Sequence, residues 1–141
     1  MSPSQANTVG GLTAINVTLW IVQLLLAGAF GMAGVMKSTQ SIPELTAAMG
    51  WPGDLPPALV RFIGASELAG ALGLVLPSAT RIRPLLTPLA AMGLVIVMLL
   101  AALFHISRGE WFALPINAAL GGLCAFVAWG RLRKAPIFPH T

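Results

Sequence analysis

Charged side chains are scarce in this sequence. Only 9% of its 141 residues are Asp, Glu, Lys or Arg, whereas 57% are hydrophobic and the mean hydropathy is +0.86. A soluble domain carries about a quarter charged residues, and one with this much apolar surface would expose large patches and aggregate. Because a lipid bilayer solvates such a surface, the composition predicts a membrane protein in contact with lipid.

Cysteine and histidine are also scarce, and this excludes several kinds of site. The single cysteine, Cys124, lies in an apolar run, so one chain cannot form a disulfide, a CxxC redox pair or a thiolate metal cluster. The two histidines, His105 and His140, fall on opposite sides of the topology given below, which excludes bis-histidine haem. The sequence also has no HExxH or nucleotide-binding motif. We therefore expect no metal site, haem or metal cluster.

Four apolar runs are each near the ~20 residues that a helix needs to cross a bilayer. The sequence places these helices at about residues 14–37, 58–76, 84–106 and 111–129. Helices joined by short loops pack antiparallel, so the predicted fold is an all-α, antiparallel four-helix transmembrane bundle with both termini on the same side. This domain covers residues 14–130, between a disordered tail at 1–13 and a basic tail at 131–141.

The charges divide unequally between the two sides of the predicted bundle. The side with the chain ends receives five of the eight basic residues: Arg81, Arg83, Arg131, Arg133 and Lys134. We call it the basic end. The opposite side, the acidic end, receives all four acids: Glu44, Asp54, Glu67 and Glu110. Because basic residues of short loops stay in the cytoplasm, both termini are predicted to be cytoplasmic. The basic charge does not form a patch on a soluble face, so we expect no nucleic-acid partner.

The few polar residues inside the spans gather near the acidic end. Glu67 lies six residues beyond Arg61 in the second span, roughly 9 Å deeper, and Asn117 enters the fourth span to a similar depth. His105 closes the third span and Lys37 closes the first. The residues one helical turn from Glu67 are mostly small, so its carboxylate is expected to face the bundle. We expect it to pair with His105, Lys37 or Asn117, because an unpaired carboxylate in lipid is costly.

Each of these residues also has an ordinary structural explanation. Glu67 and Asn117 can serve as hydrogen-bonding groups that fix the helix register. His105 can be an interfacial histidine satisfied by water. Lys37 and Arg61 can be anchors that extend their charged groups to the membrane surface. The sequence leaves these alternatives open.

Three stretches carry a resemblance to a known family. They are GMAGVMK at 31–37, MGWPGDLPP at 49–57 and, most specifically, LVRFIGASELAGALGLVLP at 59–77. Together with His105 near the end of the third span, they resemble the DoxX-like family of small bacterial membrane proteins over roughly residues 15–130. The resemblance implies a four-helix protein of the bacterial cytoplasmic (inner) membrane. Its relatives are associated with quinone-linked sulfur oxidation and with membrane complexes of oxidative-stress defence.

Our leading hypothesis is a polar pocket within the membrane that opens outward at the acidic end. It would bind a small, partly apolar molecule, with a quinone or a lipid-like metabolite as candidates. Glu67 and His105 are the candidate catalytic residues, because a carboxyl and an imidazole group suit proton exchange. The candidate substrate-binding residues are Lys37, Trp51, Arg61 and Asn117. The residues leave open whether the protein is an enzyme.

The alternative is a non-catalytic membrane subunit that anchors or assembles an oxidoreductase or stress-defence complex. This hypothesis implies a membrane or soluble protein partner, and function that depends on lipid-facing residues or on the segment 38–57. It also predicts that Glu67→Gln has no effect. A transporter or channel is less well supported, because the basic half offers no evident polar path and a four-helix chain would need to form a homo-oligomer.

Overall fold

The structure is a computed structural model that describes residues 2–140, and this part of the chain is helical without strands. It contains five α-helices: α1 (Pro3–Thr39), α2 (Ile42–Met49), α3 (Pro57–Thr80), α4 (Leu86–Ser107) and α5 (Leu114–Trp129). Two 3-10 turns (Pro52–Asp54 and Trp111–Ala113) precede α3 and α5, and a π-helical turn (Gly130–Lys134) follows α5. Four segments are long and apolar enough to cross a membrane: Pro3–Thr39, Pro57–Thr80, Leu86–Ser107 and Trp111–Lys134.

The first helix is longer than the sequence predicts. We expected a disordered tail over residues 1–13, but α1 begins at Pro3, and Met1 lies outside the described residues. Ser2 and Gln5 form a capping box, in which each side chain accepts a hydrogen bond from the other residue's backbone N–H. Such a cap satisfies two of the N–H groups that a helix start leaves unpaired, and proline is favoured in a first turn. The polar segment therefore continues the apolar helix.

The connection between α1 and α3 is the longest one between the long helices, and its elements are well capped. Ser41 begins α2 through a capping box with Glu44, and Gly50 ends it with φ of +82°, a conformation that glycine adopts without a steric penalty. The 3-10 turn Pro52–Asp54 follows directly. Trp51, between these two elements, is thereby held over the acidic end of the bundle.

The second span does not stop at Pro77, where the sequence predicts its end. Helix α3 includes Pro77 and continues to Thr80, with Arg81 as its left-handed cap at φ of +56°. Pro77 removes one backbone hydrogen bond from the helix, a loss that membrane helices tolerate where they pack on a neighbour, and Gly73, four positions earlier, packs closely on Ala90 of α4. The loop to α4 is correspondingly tight.

The four long helices form a ring in which α1 packs on α3, α3 on α4, α4 on α5, and α5 on α1. In each helix, the inward-facing residues recur at alternating intervals of three and four positions. This is the pattern of a helix with one buried face. The buried stripe of α3 consists of Val60, Gly64, Glu67, Ala71, Leu74 and Ser78. The middle of the bundle is apolar and includes Leu26, Phe30, Ala71, Leu74, Leu94, Met98 and Cys124.

Small residues set the distances between these helices. A Cβ atom on Gly34 of α1 would lie 2.7 Å from the backbone nitrogen of Leu68 in α3, and one on Gly70 would lie 2.6 Å from Leu94 of α4. Close backbone approach at small residues is the usual way in which helices associate in lipid. The outward faces carry large exposed side chains such as Leu25, Phe62 and Leu99. These faces suit lipid, so the fold is an all-α bundle of a membrane protein, as predicted.

The segment after α5 differs from the basic tail expected over residues 131–141. The π-helical turn Gly130–Lys134 carries Arg131 into the bundle, where the residue is 4% exposed. Gly130 makes this possible, because a Cβ at that position would lie 2.5 Å from Leu19 of α1. The chain then returns across the basic end, and the His140 N–H donates to the Arg81 carbonyl at 3.4 Å.

Candidate functional site

Lys37 and Glu67 form a buried ion pair at the acidic end. The Lys37 Nζ atom donates to both carboxylate oxygens of Glu67, at 2.8 Å and 2.7 Å. The two residues are 8% and 3% exposed, although they come from different helices. Of the three partners that the sequence allowed for Glu67, the structure therefore selects Lys37. Each charge offsets the free-energy cost of desolvating the other, and this cost would be large for either charge alone in lipid.

This ion pair depends on the close crossing of α1 and α3. A Cβ atom on Gly64, one turn before Glu67, would lie 2.7 Å from the Lys37 Cβ and 2.9 Å from the Ser38 Oγ. Gly34 makes the equivalent approach from α1 one turn before Lys37. The glycines therefore let two charged side chains meet in the bundle interior. Helix packing and charge pairing are two parts of the same contact.

Arg61 binds the backbone beside the ion pair. Its Nη1 donates to the Lys37 carbonyl at 2.7 Å, from a position six residues before Glu67 on the same helix. Carbonyls in the last turn of a helix lack intrahelical partners, and a cation is favourable at that end. Arg61 therefore holds the end of α1, and with it Lys37, against α3.

Trp51 covers the ion pair from the connecting segment. The Lys37 Nζ lies 5.6 Å from the centre of its indole ring, within the range of a cation–π contact. Trp51 also makes an apolar contact: its ring meets Phe104 of α4 edge to face, with ring centres 6.0 Å apart. Trp51 thus joins α1 to α4 across the acidic end.

His105 belongs to a second, more superficial network. Its Nδ1 lies 2.6 Å from a carboxylate oxygen of Glu110, whose other oxygen accepts from Arg108 Nε at 2.8 Å. Arg108 Nη1 in turn donates to Asp54 at 2.5 Å, which joins the α4–α5 loop to the turn before α3. His105 hydrogen-bonds to Glu110 and not to Glu67. Its ring nonetheless contacts Phe104 edge to face, with ring centres 5.9 Å apart, and Phe104 in turn contacts Trp51.

The charges of this second network shift one another. Hydrogen bonds from His105 and then from Arg108 hold the pKa of the Glu110 carboxyl below its ordinary value of 4.5. In the same way, hydrogen bonds to Glu110 and Asp54 raise the pKa of Arg108. The side chains of Asp54, Arg108 and Glu110 lie at the surface, where solvent weakens such interactions. The network therefore fixes the position of His105 more than it stabilises the fold.

Asn117 stands apart from the other predicted site residues. It lies on the buried stripe of α5, is 8% exposed, and its Nδ2 has no hydrogen-bond partner. Across residues 2–140, the structure leaves three buried side-chain atoms in this state: Ser38 Oγ, Asn117 Nδ2 and Arg131 Nη2. Two of these three lie at the acidic end. A buried donor without a partner is costly, so it marks a place where a hydrogen-bonding molecule would be stabilised.

The predicted site residues therefore divide into three groups. Lys37, Trp51, Arg61 and Glu67 form one contact network. His105 reaches that network through the ring of Phe104 alone, and Asn117 faces the bundle without a bond to either. No three His, Cys, Asp or Glu side chains of the described chain lie close enough together to hold a metal ion.

A polar cluster at the basic end escaped the sequence analysis. Arg131 Nε donates to the Gln23 Oε1 and Arg131 Nη1 to the Asn16 Oδ1, both at 2.6 Å, and Gln23 Nε2 donates to the Leu74 carbonyl at 2.5 Å. One signal was available: Gln23 interrupts an apolar run and precedes Lys37 by fourteen residues, which places both on one helix face. The basic half of the bundle thus contains a buried polar cluster, although the sequence showed no evident polar path there.

Two cavities also lie at the basic end. One of about 270 Å³ is lined by Asn16, Arg81, Ala135, Pro136, Ile137, Phe138 and Pro139. The other, of about 390 Å³, is lined by Arg83, Pro84, Leu85, Leu86, Leu89, Ile137 and Pro139. At the acidic end, by contrast, Lys37 and Glu67 occupy the space between α1 and α3 themselves.

Comparison with known proteins gave one match. A family model described as the DoxX-like family matches residues 21–127, which include α3 and α4, most of α5, the second half of α1 and every predicted site residue. The comparisons with curated proteins and with solved structures gave no match.

Proposed function

This chain belongs to the DoxX-like family, and from that premise we propose that its acidic end binds a small, partly apolar molecule within the membrane. A quinone or a lipid-like metabolite has the required chemistry, a carbonyl or anionic oxygen on an apolar body. In a bacterial cytoplasmic membrane with both termini inside, this end faces outward. The asymmetry of the basic residues supports that orientation.

The observation that carries this proposal is the buried Lys37–Glu67 pair. An ammonium group has three donors, and Lys37 uses two of them on Glu67. The third is free to bind a ligand oxygen, next to the apolar ring of Trp51. A buried ion pair is a costly way to join two helices, because apolar side chains of similar size often stabilise a protein as well or better. Ionisable residues inside a membrane therefore favour a functional role.

The remaining site residues have roles that fit this arrangement. Asn117 Nδ2 supplies a second donor for a ligand oxygen, and Arg61 positions Lys37 through its carbonyl. Glu67 and His105 exchange protons with the bound molecule, and Glu110 connects His105 to the aqueous surface. A redox reaction at this site additionally requires an electron donor or acceptor from a partner subunit, since the chain has a single cysteine.

Asn117→Leu tests the proposal with little risk to the fold. Because the Nδ2 atom has no partner to lose, this change is expected to leave the melting temperature near the wild-type value. Protein extracted in mild detergent is analysed by mass spectrometry for co-purifying quinones and lipid-like molecules, and binding is measured by adding a quinone back. Loss of the ligand is expected for Asn117→Leu and for Glu67→Gln. Thr39→Val, an exposed change at the same end, is the matched control.

A second candidate function is a non-catalytic subunit that anchors or assembles an oxidoreductase or stress-defence complex. It is favoured by α4, which presents a broad, exposed apolar face that includes Ile96, Leu99, Leu100 and Leu103. In this case the ion pair serves only to hold α1 on α3. Ligand content that is unchanged in Asn117→Leu and Glu67→Gln would contradict the first proposal. Loss of a co-purifying protein from Leu99→Asn would support the second.

A further inference from the structure

Arg131 is a buried cation without an acidic partner. Its guanidinium is 4% exposed and donates to three neutral oxygens: Gln23 Oε1, Asn16 Oδ1 and the Ala135 carbonyl. The Nη2 atom is buried with no partner. All four acidic side chains of the sequence belong to the acidic end. Neutral acceptors do not cancel the positive charge, and burying an unpaired charge is strongly unfavourable.

The smaller cavity of the basic end is lined by two residues that contact this guanidinium, although Arg131 itself lies behind them and does not line the cavity. Asn16 and Ala135, the two acceptors of Arg131 Nη1, both line it. Arg81 lines the same cavity and adds a second positive charge from the α3–α4 loop. The cavity volume of about 270 Å³ leaves room for a phosphate group and its ester substituents. A tetrahedral anion there would contact Arg81 and lie near the positive charge of Arg131, and guanidinium groups bind phosphate oxygens well.

The larger cavity lies next to the smaller one and is mostly apolar. The two share Ile137 and Pro139 of the C-terminal segment. Beyond these residues, the larger cavity runs along exposed leucines of the loop and α4: Leu85, Leu86 and Leu89. A cavity lined by a cation and an amide, next to an apolar groove, matches the two parts of an amphiphile.

We propose that the basic end binds an anionic phospholipid, with its phosphate between Arg131, Arg81 and Asn16 and an acyl chain along Leu85, Leu86 and Leu89. The phosphate supplies a negative charge to Arg131, whose hydrogen-bond acceptors among the described residues are neutral. The location fits a lipid, because the loop and the first turns of α4 lie where headgroups meet acyl chains. This site is independent of the one proposed at the acidic end, which lies at the other side of the bilayer.

Lipid retention by the full chain tests this proposal. The protein is exchanged into detergent micelles with equal amounts of phosphatidylglycerol and phosphatidylcholine, and bound lipids are counted by native mass spectrometry. Wild-type protein is expected to retain phosphatidylglycerol selectively. Each basic group near an anionic lipid surface contributes about 1 kcal/mol, so Arg81→Gln is expected to lower the ratio about fivefold. Arg131→Gln is expected to lower it at least as much.

Arg133→Gln is the matched control, because Arg133 is exposed at the same end and lines neither cavity. Arg81 is also exposed, so its replacement leaves the fold intact even if Arg131→Gln unfolds. Equal retention of both lipids by wild type, or an equal loss in Arg133→Gln and Arg81→Gln, would overturn the proposal. Displacement of the lipid by millimolar inorganic phosphate would overturn it too, since the ligand would then be free phosphate.

Discussion

At the acidic end of the bundle a buried ammonium meets a buried carboxylate, whereas at the basic end a buried guanidinium meets neutral oxygens and the ring of Trp20. The two clusters occupy the same inward stripes, about 21 Å apart along α1 from Lys37 to Gln23. The difference shows that one bundle can bury charge in two ways. One end supplies its own counter-ion, and the other surrounds its buried cation with neutral acceptors and an aromatic ring.

The largest effect is expected when the balanced pair is broken. Lys37→Met leaves the Glu67 carboxylate buried without its partner and is expected to cost about 3–5 kcal/mol of folding stability. The double variant Lys37→Met/Glu67→Met removes both charges and is expected to recover most of that loss. Thermal unfolding in detergent, combined in a double-mutant cycle, measures both effects. Additive losses in the double variant would show that the two groups are not coupled.

The next effect concerns the crossing that brings this pair together. Gly64→Ala places a methyl group within 2.7 Å of the Lys37 Cβ, so α1 must move away from α3. We expect a loss of about 1–3 kcal/mol in the same unfolding assay. Gly122→Ala is the control, since a Cβ there meets nothing within 4 Å. Equal behaviour of the two variants would mean that the ion pair does not depend on close helix approach.

A carboxylate placed at the basic end would give Arg131 the acidic partner that Lys37 already has at the acidic end. Asn16→Asp puts an acid where Arg131 Nη1 now finds an amide oxygen at 2.6 Å. A charge-assisted bond is stronger than a neutral one, so we expect a gain of about 1 kcal/mol. The same variant should retain less anionic phospholipid. Asn7→Asp, exposed on the same helix, controls for net charge, and a loss of stability in Asn16→Asp alone would contradict this picture.

The smallest effect belongs to the surface network around His105. Because the fold lowers the pKa of Glu110, its contribution to stability is present above the ordinary value of 4.5 and is lost as pH falls through the lowered folded value. Glu110→Gln is therefore expected to be slightly less stable than wild type at neutral pH, and the gap should close below pH 4.5. Melting temperatures across that range measure it. If the stability difference between wild type and Glu110→Gln instead widened on acidification, the direction assigned to the Glu110 pKa shift would be wrong.

The sequence was sufficient for the fold and for part of the acidic-end cluster, for physical reasons. Runs of about 20 apolar residues have few alternatives in lipid, so the four spans and the membrane class followed from composition and length. The pairing of Glu67 with one of three named groups followed from the cost of an isolated carboxylate. The choice of Lys37 did not follow, because it depends on how closely Gly34 and Gly64 let α1 and α3 approach.

The basic end could not be predicted in the same way. Arg131 has the position of an ordinary residue after a last span, and a local π-helical turn, which has no clear sequence signature, directs it inward. His105 was expected near Glu67 because both lie at a similar depth, yet it bonds to Glu110 five residues later. Depth along a helix is readable from the sequence, whereas the partner of a side chain depends on rotation and loop geometry.

The length of α1 has a mechanical consequence. Its 37 residues span about 55 Å, well beyond the ~30 Å of a hydrocarbon core, so its first turns extend past the basic end. Both clusters contact this one helix. The acidic-end cluster includes Lys37 near its C-terminal end, and the basic-end cluster includes Gln23 and Asn16 nearer its N-terminal end. A tilt of α1 by ten degrees would swing the projecting ~25 Å by about 4 Å. A spin label or fluorophore placed near its start would therefore magnify small rearrangements at either cluster into a measurable displacement.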